Sequence, residues 1–302
     1  MGFLEALGHH AFLRHALIAC ALASVASGVV GSFVVVRRMT AIAGGVAHSV
    51  LGGIGAAVYL ETVHGWHALH PLHGAAVAAV LSGIIIGAMG LRGRERVDTV
   101  IGVVWAVGMA AGVLFLSRTP GYGQNLVSYL FGNILMVTRE HLWLIAALDA
   151  VMLTVAVRFR SGLFAASFDE EFAAARGLNV AFYHMLLVAL TALTVVLMVA
   201  VVGIVMSIAL LTVPPAIAGR YTTRLHSMMA GGALLCLALT VGGLAVSYSL
   251  DLPSGATIIV LGGAAYAVLV PLARTARRSR AGASTPVDAP RSSSRALAGT
   301  QR

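Results

Sequence analysis

AIAGGVAHSVLGGIGAAVYL, residues Ala41–Leu60, is apolar from end to end yet carries one ionisable side chain, His48, near its middle. About 20 apolar residues make one helical crossing of a bilayer. On a helix, Gly45, Ser49 and Gly53 fall four apart on one face, and Gly44, His48 and Gly52 form the adjacent row. Small residues at that spacing let a second helix approach closely. The imidazole is therefore expected in a helix–helix contact or a pore, away from lipid. An ionisable group at that depth is costly and marks a transport path or site. The plainer reading, a histidine hydrogen-bonded to a neighbouring helix, stays open beside it.

The rest of the chain extends this pattern. Its 302 residues are 59% hydrophobic and only 10% charged, with a mean hydropathy of +0.93, whereas a soluble domain carries about 25% charged residues. This is the composition of an all-α polytopic membrane protein. The formal charge of +9 comes entirely from arginine, since the sequence contains no lysine. A phosphate-binding loop of the Walker type needs a lysine on the β- and γ-phosphates, so any ATP-driven step belongs to another subunit. The arginines sit at the ends of apolar runs, a membrane-topology signal and not a nucleic-acid one. Cys20 and Cys236 each lie inside an apolar run and read as small buried hydrophobes.

Taken in order, the apolar runs are 12–36, 41–60, 73–91, 98–117, 141–157, 181–202, 203–218, 228–249 and 254–272. The first is too long for a signal-peptide core and ends in Arg37-Arg38 without a clear cleavage site. Arginine clusters recur at alternate ends: Arg37 and Arg38, then Arg92, Arg94 and Arg96, then Arg158 and Arg160, and finally Arg274, Arg277, Arg278 and Arg280. The positive-inside rule puts these ends in the cytoplasm. Nine spans follow, with the N-terminus outside and the C-terminus inside. Eight are left if the piece carrying Pro214-Pro215, where the helix is expected to break, does not cross. Residues 1–272 thus form a transmembrane domain, and 273–302, rich in Ser, Ala, Pro and Arg, form a cytoplasmic tail expected to be disordered.

Three connecting segments carry signals. The outer stretch Glu61–His73 reads ETVHGWHALHPLH, with His64, His67, His70 and His73 at every third position. Histidine is the commonest metal ligand, so metal capture and a merely polar loop are both open; Gly65 and Pro71 argue against one clean helix. Gly121–Thr138 is weakly apolar and fits an interfacial or re-entrant piece. The segment 167–180, SFDEEFAAARGLNV, predicts a short cytoplasmic helix with Asp169, Glu170 and Glu171 in its first turn and Gly177 ending it. Such a helix can dock a partner or simply connect two spans.

Several motifs in fixed order resemble those of one family: GSFVVVRRM from Gly31, AHSVLGG around His48, DTVIGVVWAVGMAAGV from Asp98, NLVSYLFGNIL from Asn125, FDEEFAAARGL from Phe168, LLTVPPAIA from Leu210 and DLPSGATIIV from Asp251. Together they resemble the membrane permeases of ABC importers for zinc, manganese and iron, over about Gly31 to Leu269. The resemblance implies a type II-like importer fold in a bacterial or archaeal cytoplasmic membrane. It also implies a homodimeric channel in lipid, a separate ABC ATPase subunit that uses the ATP, and an extracytoplasmic metal-binding protein that delivers the ion. No cofactor of the chain's own and no enzymatic activity follow from it. By the same resemblance the 167–180 helix is the ATPase coupling element, with Phe168, Asp169, Ala173 and Gly177 matching its motif.

The family's intramembrane gate is typically an aspartate and a histidine four residues apart in the second span. His48 matches the histidine, but Gly44 stands where the aspartate is expected. A metal at midplane needs charge or several ligands to offset lost hydration, and zinc takes four. Asp149, in WLIAALDAVMLTV of the fifth span, is the carboxylate expected to compensate; the alternative is a structural hydrogen bond. Imidazole suits zinc better than it suits manganese, which favours harder oxygen ligands, so zinc is expected ahead of manganese or iron.

Other readings compete. A self-sufficient carrier or channel would use His48 and Asp149 as a relay, although the single clear break at Pro214-Pro215 fits poorly with the paired broken helices of inverted-repeat carriers. A permease for metal chelates or cobalamin would need a wider second span. An intramembrane enzyme finds no support, since no HExxH motif, paired metal carboxylates or nucleophile–base set is present.

Overall fold

The computed structural model describes residues 5, 8, 10–66, 69–92, 96–120, 130–132 and 134–283. Among them every regular element is helical. In chain order these are α1 (Ala11–Val36), α2 (Thr40–His64), α3 (Pro71–Arg92), α4 (Val97–Ser117), α5 (Arg139–Arg158), the short α6 (Arg160–Phe168) and α7 (Glu170–Ala175), then α8 (Val180–Val202), α9 (Ile204–Tyr221), α10 (Leu225–Leu250) and α11 (Ser254–Ala283). Nine of these helices are long and apolar enough to cross a membrane, in agreement with the nine-span reading. The tail's residues 284–302 lie outside the described residues, as do Arg94, His67 and most of Gly121–Thr138.

The most enclosed spans are α2 and α8. α2 packs on α3 and α4 on one side and on α8 and α9 on the other, while α8 also meets α3 and α5. The α2 seams are backbone to backbone. A Cβ on Gly52 would stand 2.7 Å from the Gly108 carbonyl, one on Gly55 would stand 2.7 Å from the Gly112 carbonyl, and Gly53 and Gly74 each occupy the space the other's side chain would need. Without a hydrophobic drive between helices in lipid, close approach and interhelical hydrogen bonds carry the association. Ser49 supplies one such bond, accepting from the Ser82 hydroxyl at 2.7 Å while donating to the Val46 carbonyl.

One expectation fails here. α9 runs unbroken through Pro214 and Pro215; the break lies instead at Gly203, whose φ of +82° turns the chain between α8 and α9. Each proline withholds the N–H that would bond the carbonyl four residues back. The freed Leu210 carbonyl accepts from the Ser27 hydroxyl at 2.5 Å, and the freed Leu211 carbonyl packs on Gly31. Both partners belong to the π-helical turn Ser27–Gly31 of α1. The helix survives because another helix receives what the prolines release.

Of the weakly apolar outer segment, Leu130–Gly132 and a 3₁₀ turn, Ile134–Met136, are described. Gly132, at φ +67°, lies against the Val202–Gly203 corner, and the Phe131 carbonyl approaches Gly255.

Candidate functional site

His48 is the ninth of the 25 residues of α2, about a third of the way along, and is half-buried. Its ring stacks on the indole of Trp105 of α4, with centroids 4.3 Å apart and planes 6° from parallel. Its Nδ1 is buried without a hydrogen-bond partner among the described residues. The imidazole is thus held by its stack on Trp105, with Nδ1 left without a partner among the described residues. An unpaired buried polar atom is expensive, and an imidazole nitrogen is a ligand for a transition-metal ion.

Gly44, one turn before His48, does not take part in the helix packing expected of it. A Cβ there would meet no atom within 4 Å. It borders an open cavity of about 570 Å³ whose wall includes Thr40, Trp105, Thr212 and Tyr266. Gly45, Ser49, Gly52 and Gly53 are the residues that pack. The position where the resemblance implies an acid is therefore roomy, and the chain leaves it empty.

Asp149 is 3% exposed, and neither carboxylate oxygen has a partner among the described residues. It lies on the buried face of α5 with Ile145 and Met152. That helix packs against α1 and α8, and α2 packs against α3, α4, α8 and α9. The two ionisable residues thus stand on helices that share α8 as a neighbour and have no extensive interface of their own. Among the described residues no group of three or more His, Cys, Asp or Glu side chains is placed to hold a metal ion.

The outer histidines divide. α2 continues four residues past Leu60 and ends in His64, beside Tyr59, with Gly65 at φ +70° capping it. His73 is in the first turn of α3. His70 and His73, their ring centroids 6.3 Å apart, line a cavity of about 660 Å³ together with Glu140 and His141 of α5. Proximity in that cavity was invisible in the sequence, where some 70 residues separate the two pairs.

The segment 167–180 folds as its local sequence dictates. Asp169 caps α7 by accepting from the Phe172 N–H at 2.9 Å; Ala173 is fully buried beneath it; Gly177, at φ +77°, closes it. These three shape the helix. What the segment presents outward is Phe168, at the end of α6, and Phe172 of α7, each more than half exposed. On its inner side Glu170 pairs with Arg37 at 2.6 Å.

The sequence profile of the ABC 3 transport family matches residues 9–273, nearly the whole described bundle. The chain belongs to the ABC 3 transport family. It is 35% identical over 263 residues to a "Probable metal transport system membrane protein" of Chlamydia muridarum, covering 87% of this chain and 89% of the relative. It is 30% identical over 258 residues to the manganese import system permease protein ScaB of Streptococcus gordonii, covering 85% and 90%. Among solved structures, PsaBC from Streptococcus pneumoniae in complex with Fab contains a chain that superposes with a TM-score of 0.79 at 29% identity, covering 92% of this chain and 98% of that one.

In this member of the ABC 3 transport family, the stack of His48 on Trp105, the exposure of Phe172 and the Arg37–Glu170 pair have no signal in sequence spacing. Trp105 was one of only three tryptophans and lay in a motif already singled out. Its partner across the α2–α4 seam depended on register between helices, which sequence spacing does not encode.

Proposed function

We propose that this chain is the membrane-spanning permease of an ATP-driven divalent-metal importer. It works as a homodimer with a separate ABC ATPase on the cytoplasmic side and an extracytoplasmic metal-binding protein. The family match over residues 9–273 carries the class, and the relatives named for metal transport and manganese import support the cargo and the direction. His48 is the metal contact within the span. Its buried, unpartnered Nδ1 and its stack on Trp105, a residue that lines an open cavity, support that role, and a second copy would add a second imidazole. The lipid-exposed faces of α3 and α4 supply membrane contact. The arginine-bearing ends of the spans are cytoplasmic, which leaves the N-terminus outside and the C-terminus inside.

Zinc is the proposed cargo. An imidazole path without an adjacent carboxylate suits a borderline-soft ion better than a hard one. A manganese reading is favoured by the relatives' names. Asp149 is proposed as a second ionisable point on the path, reached separately from His48. His70, His73, Glu140 and His141 form a proposed outer approach for the ion, and His64 stands apart from them.

The test is uptake of radioactive zinc into proteoliposomes, with manganese as competitor, by the chain alone, by the full complex, and by the complex carrying His48→Ala. Uptake is expected to require the ATPase, to fall about 10-fold or more with His48→Ala, and to resist manganese. Equal uptake by the chain alone would overturn the ABC reading in favour of a carrier. An Asp149→Asn complex that transports normally would remove Asp149 from the path.

A further inference from the structure

Arg37 occupies the corner between α1 and α2, and its side chain is only 10% exposed. Three contacts converge on its guanidinium. Nη1 pairs with Glu170 Oε1 of α7 at 2.6 Å and also donates to the Ala166 carbonyl of α6. Nη2 lies 3.4 Å from Nδ1 of His184 on α8. The Ala166 carbonyl is among the last of its helix, which have no intrahelical donor, and a cation there also meets the negative end of the helix dipole. One rigid, forked side chain therefore grips both short helices of the coupling segment and the first turns of α8, a task that a planar guanidinium performs and a single ammonium does not.

The other end of this grip is the start of α2. Arg37 ends α1, Arg38 turns the chain at φ +56°, and the Met39 N–H donates back to the Val34 carbonyl at 2.8 Å. Thr40 then begins α2, and His48 lies about two turns further on. The polar link between the 167–180 segment and the start of the His48 helix thus runs through Arg37 and a tight, hydrogen-bonded turn, beside the packing route through α8. The main packing of α7 is on α6 and the start of α8, and α6 in turn packs on α8, α5 and the end of α1.

We propose that Arg37 is the positioning residue that transmits displacement of α6–α7 to α2, so that nucleotide-driven movement of the coupling segment shifts the helix carrying His48. This rests on the reading of the coupling segment as the ATPase contact. Breaking the Arg37 grip leaves the ATPase seated on the exposed Phe168 and Phe172 but disconnects its stroke from the path.

The experiment uses the full complex in proteoliposomes and reads two quantities together, radioactive zinc taken up and ATP hydrolysed. The variants are Arg37→Gln, Glu170→Gln and both combined; Glu170 is 58% exposed, so its change leaves folding intact. Zinc moved per ATP is expected to fall about 2- to 30-fold in Arg37→Gln, the range spanned by coupling changes along such networks, while ATP hydrolysis persists. Glu170→Gln is expected to lose less, because the Ala166 and His184 contacts remain. The double variant is expected to be no worse than Arg37→Gln alone, since the two residues act through one contact. An unchanged ratio in Arg37→Gln, or strictly additive losses, would overturn the proposal. A cysteine at Phe172 that fails to cross-link to the ATPase in the unaltered complex would overturn the coupling reading itself, a result separate from either.

Discussion

Two positions one helical turn apart have opposite physical characters. His48 is pinned by its stack on Trp105 and keeps an unpartnered Nδ1; Gly44 faces open space. Substituting Gly44 should therefore be sterically free, and an acid there would stand four residues from the imidazole on the same face. Gly44→Asp is expected to fold normally and to raise uptake of manganese relative to zinc roughly 10-fold, the effect of about 1.4 kcal/mol of added ligand free energy for the harder ion. Competition uptake checks this, and an unchanged ratio would place the selective site elsewhere. Ser27 shows how a single hydroxyl can matter for the opposite reason. Ser27→Ala would leave the Leu210 carbonyl, already deprived of its helical donor by Pro214, without a partner. The expected loss is about 1–3 kcal/mol, visible as a lower unfolding midpoint in detergent.

For α2, the pattern of small residues in the sequence announced close packing, and Gly45, Ser49, Gly52 and Gly53 do pack. Gly44 belongs to the same pattern but meets no other helix of this chain within 4 Å of a Cβ placed there, because periodicity identifies a face of a helix but not which neighbours come to cover it. The seam makes a graded prediction. Gly53→Leu would drive a side chain into the Gly74 backbone, and main chain cannot swing aside as a side-chain tip can. It is expected to destabilise by about 1–3 kcal/mol or more. Gly44→Leu should leave the unfolding midpoint unmoved, and equal losses at both positions would refute the seam. In α9 the sequence predicts a break at Pro214-Pro215, and the structure shows a continuous helix. Local propensity yields there because Ser27 and Gly31, more than 180 residues earlier, accommodate the freed carbonyls.

Across the molecule, the C-terminal end of α3, at Gly90 and Leu91, shares a pocket with the α1–α2 corner and Glu170 of α7, and α5 runs straight into α6. The histidine-lined cavity of α3 and α5 belongs to the opposite end of those spans. Single cysteines introduced at Phe172 and at His70 are therefore expected to react with an impermeant thiol reagent from opposite faces of the membrane, Phe172 from the cytoplasmic face. Labelling of both from one face would overturn the nine-span alternation.

The number of spans, their approximate limits, the capped short helix after Asp169 and the place of His48 within the second span were all legible along the chain. Each depends on near-neighbour quantities: an apolar run long enough to cross lipid, an Asp at a helix start, a glycine at its end. The stack of His48 on Trp105, the separation of Asp149 from α2, the shared cavity of His70, His73, Glu140 and His141, and the grip of Arg37 on Glu170 were not. They depend on which helix lies beside which, and in what register. That choice is made by close approach of backbones at glycine contacts and by hydrogen bonds between residues far apart in the chain, so only the folded bundle brings those side chains together.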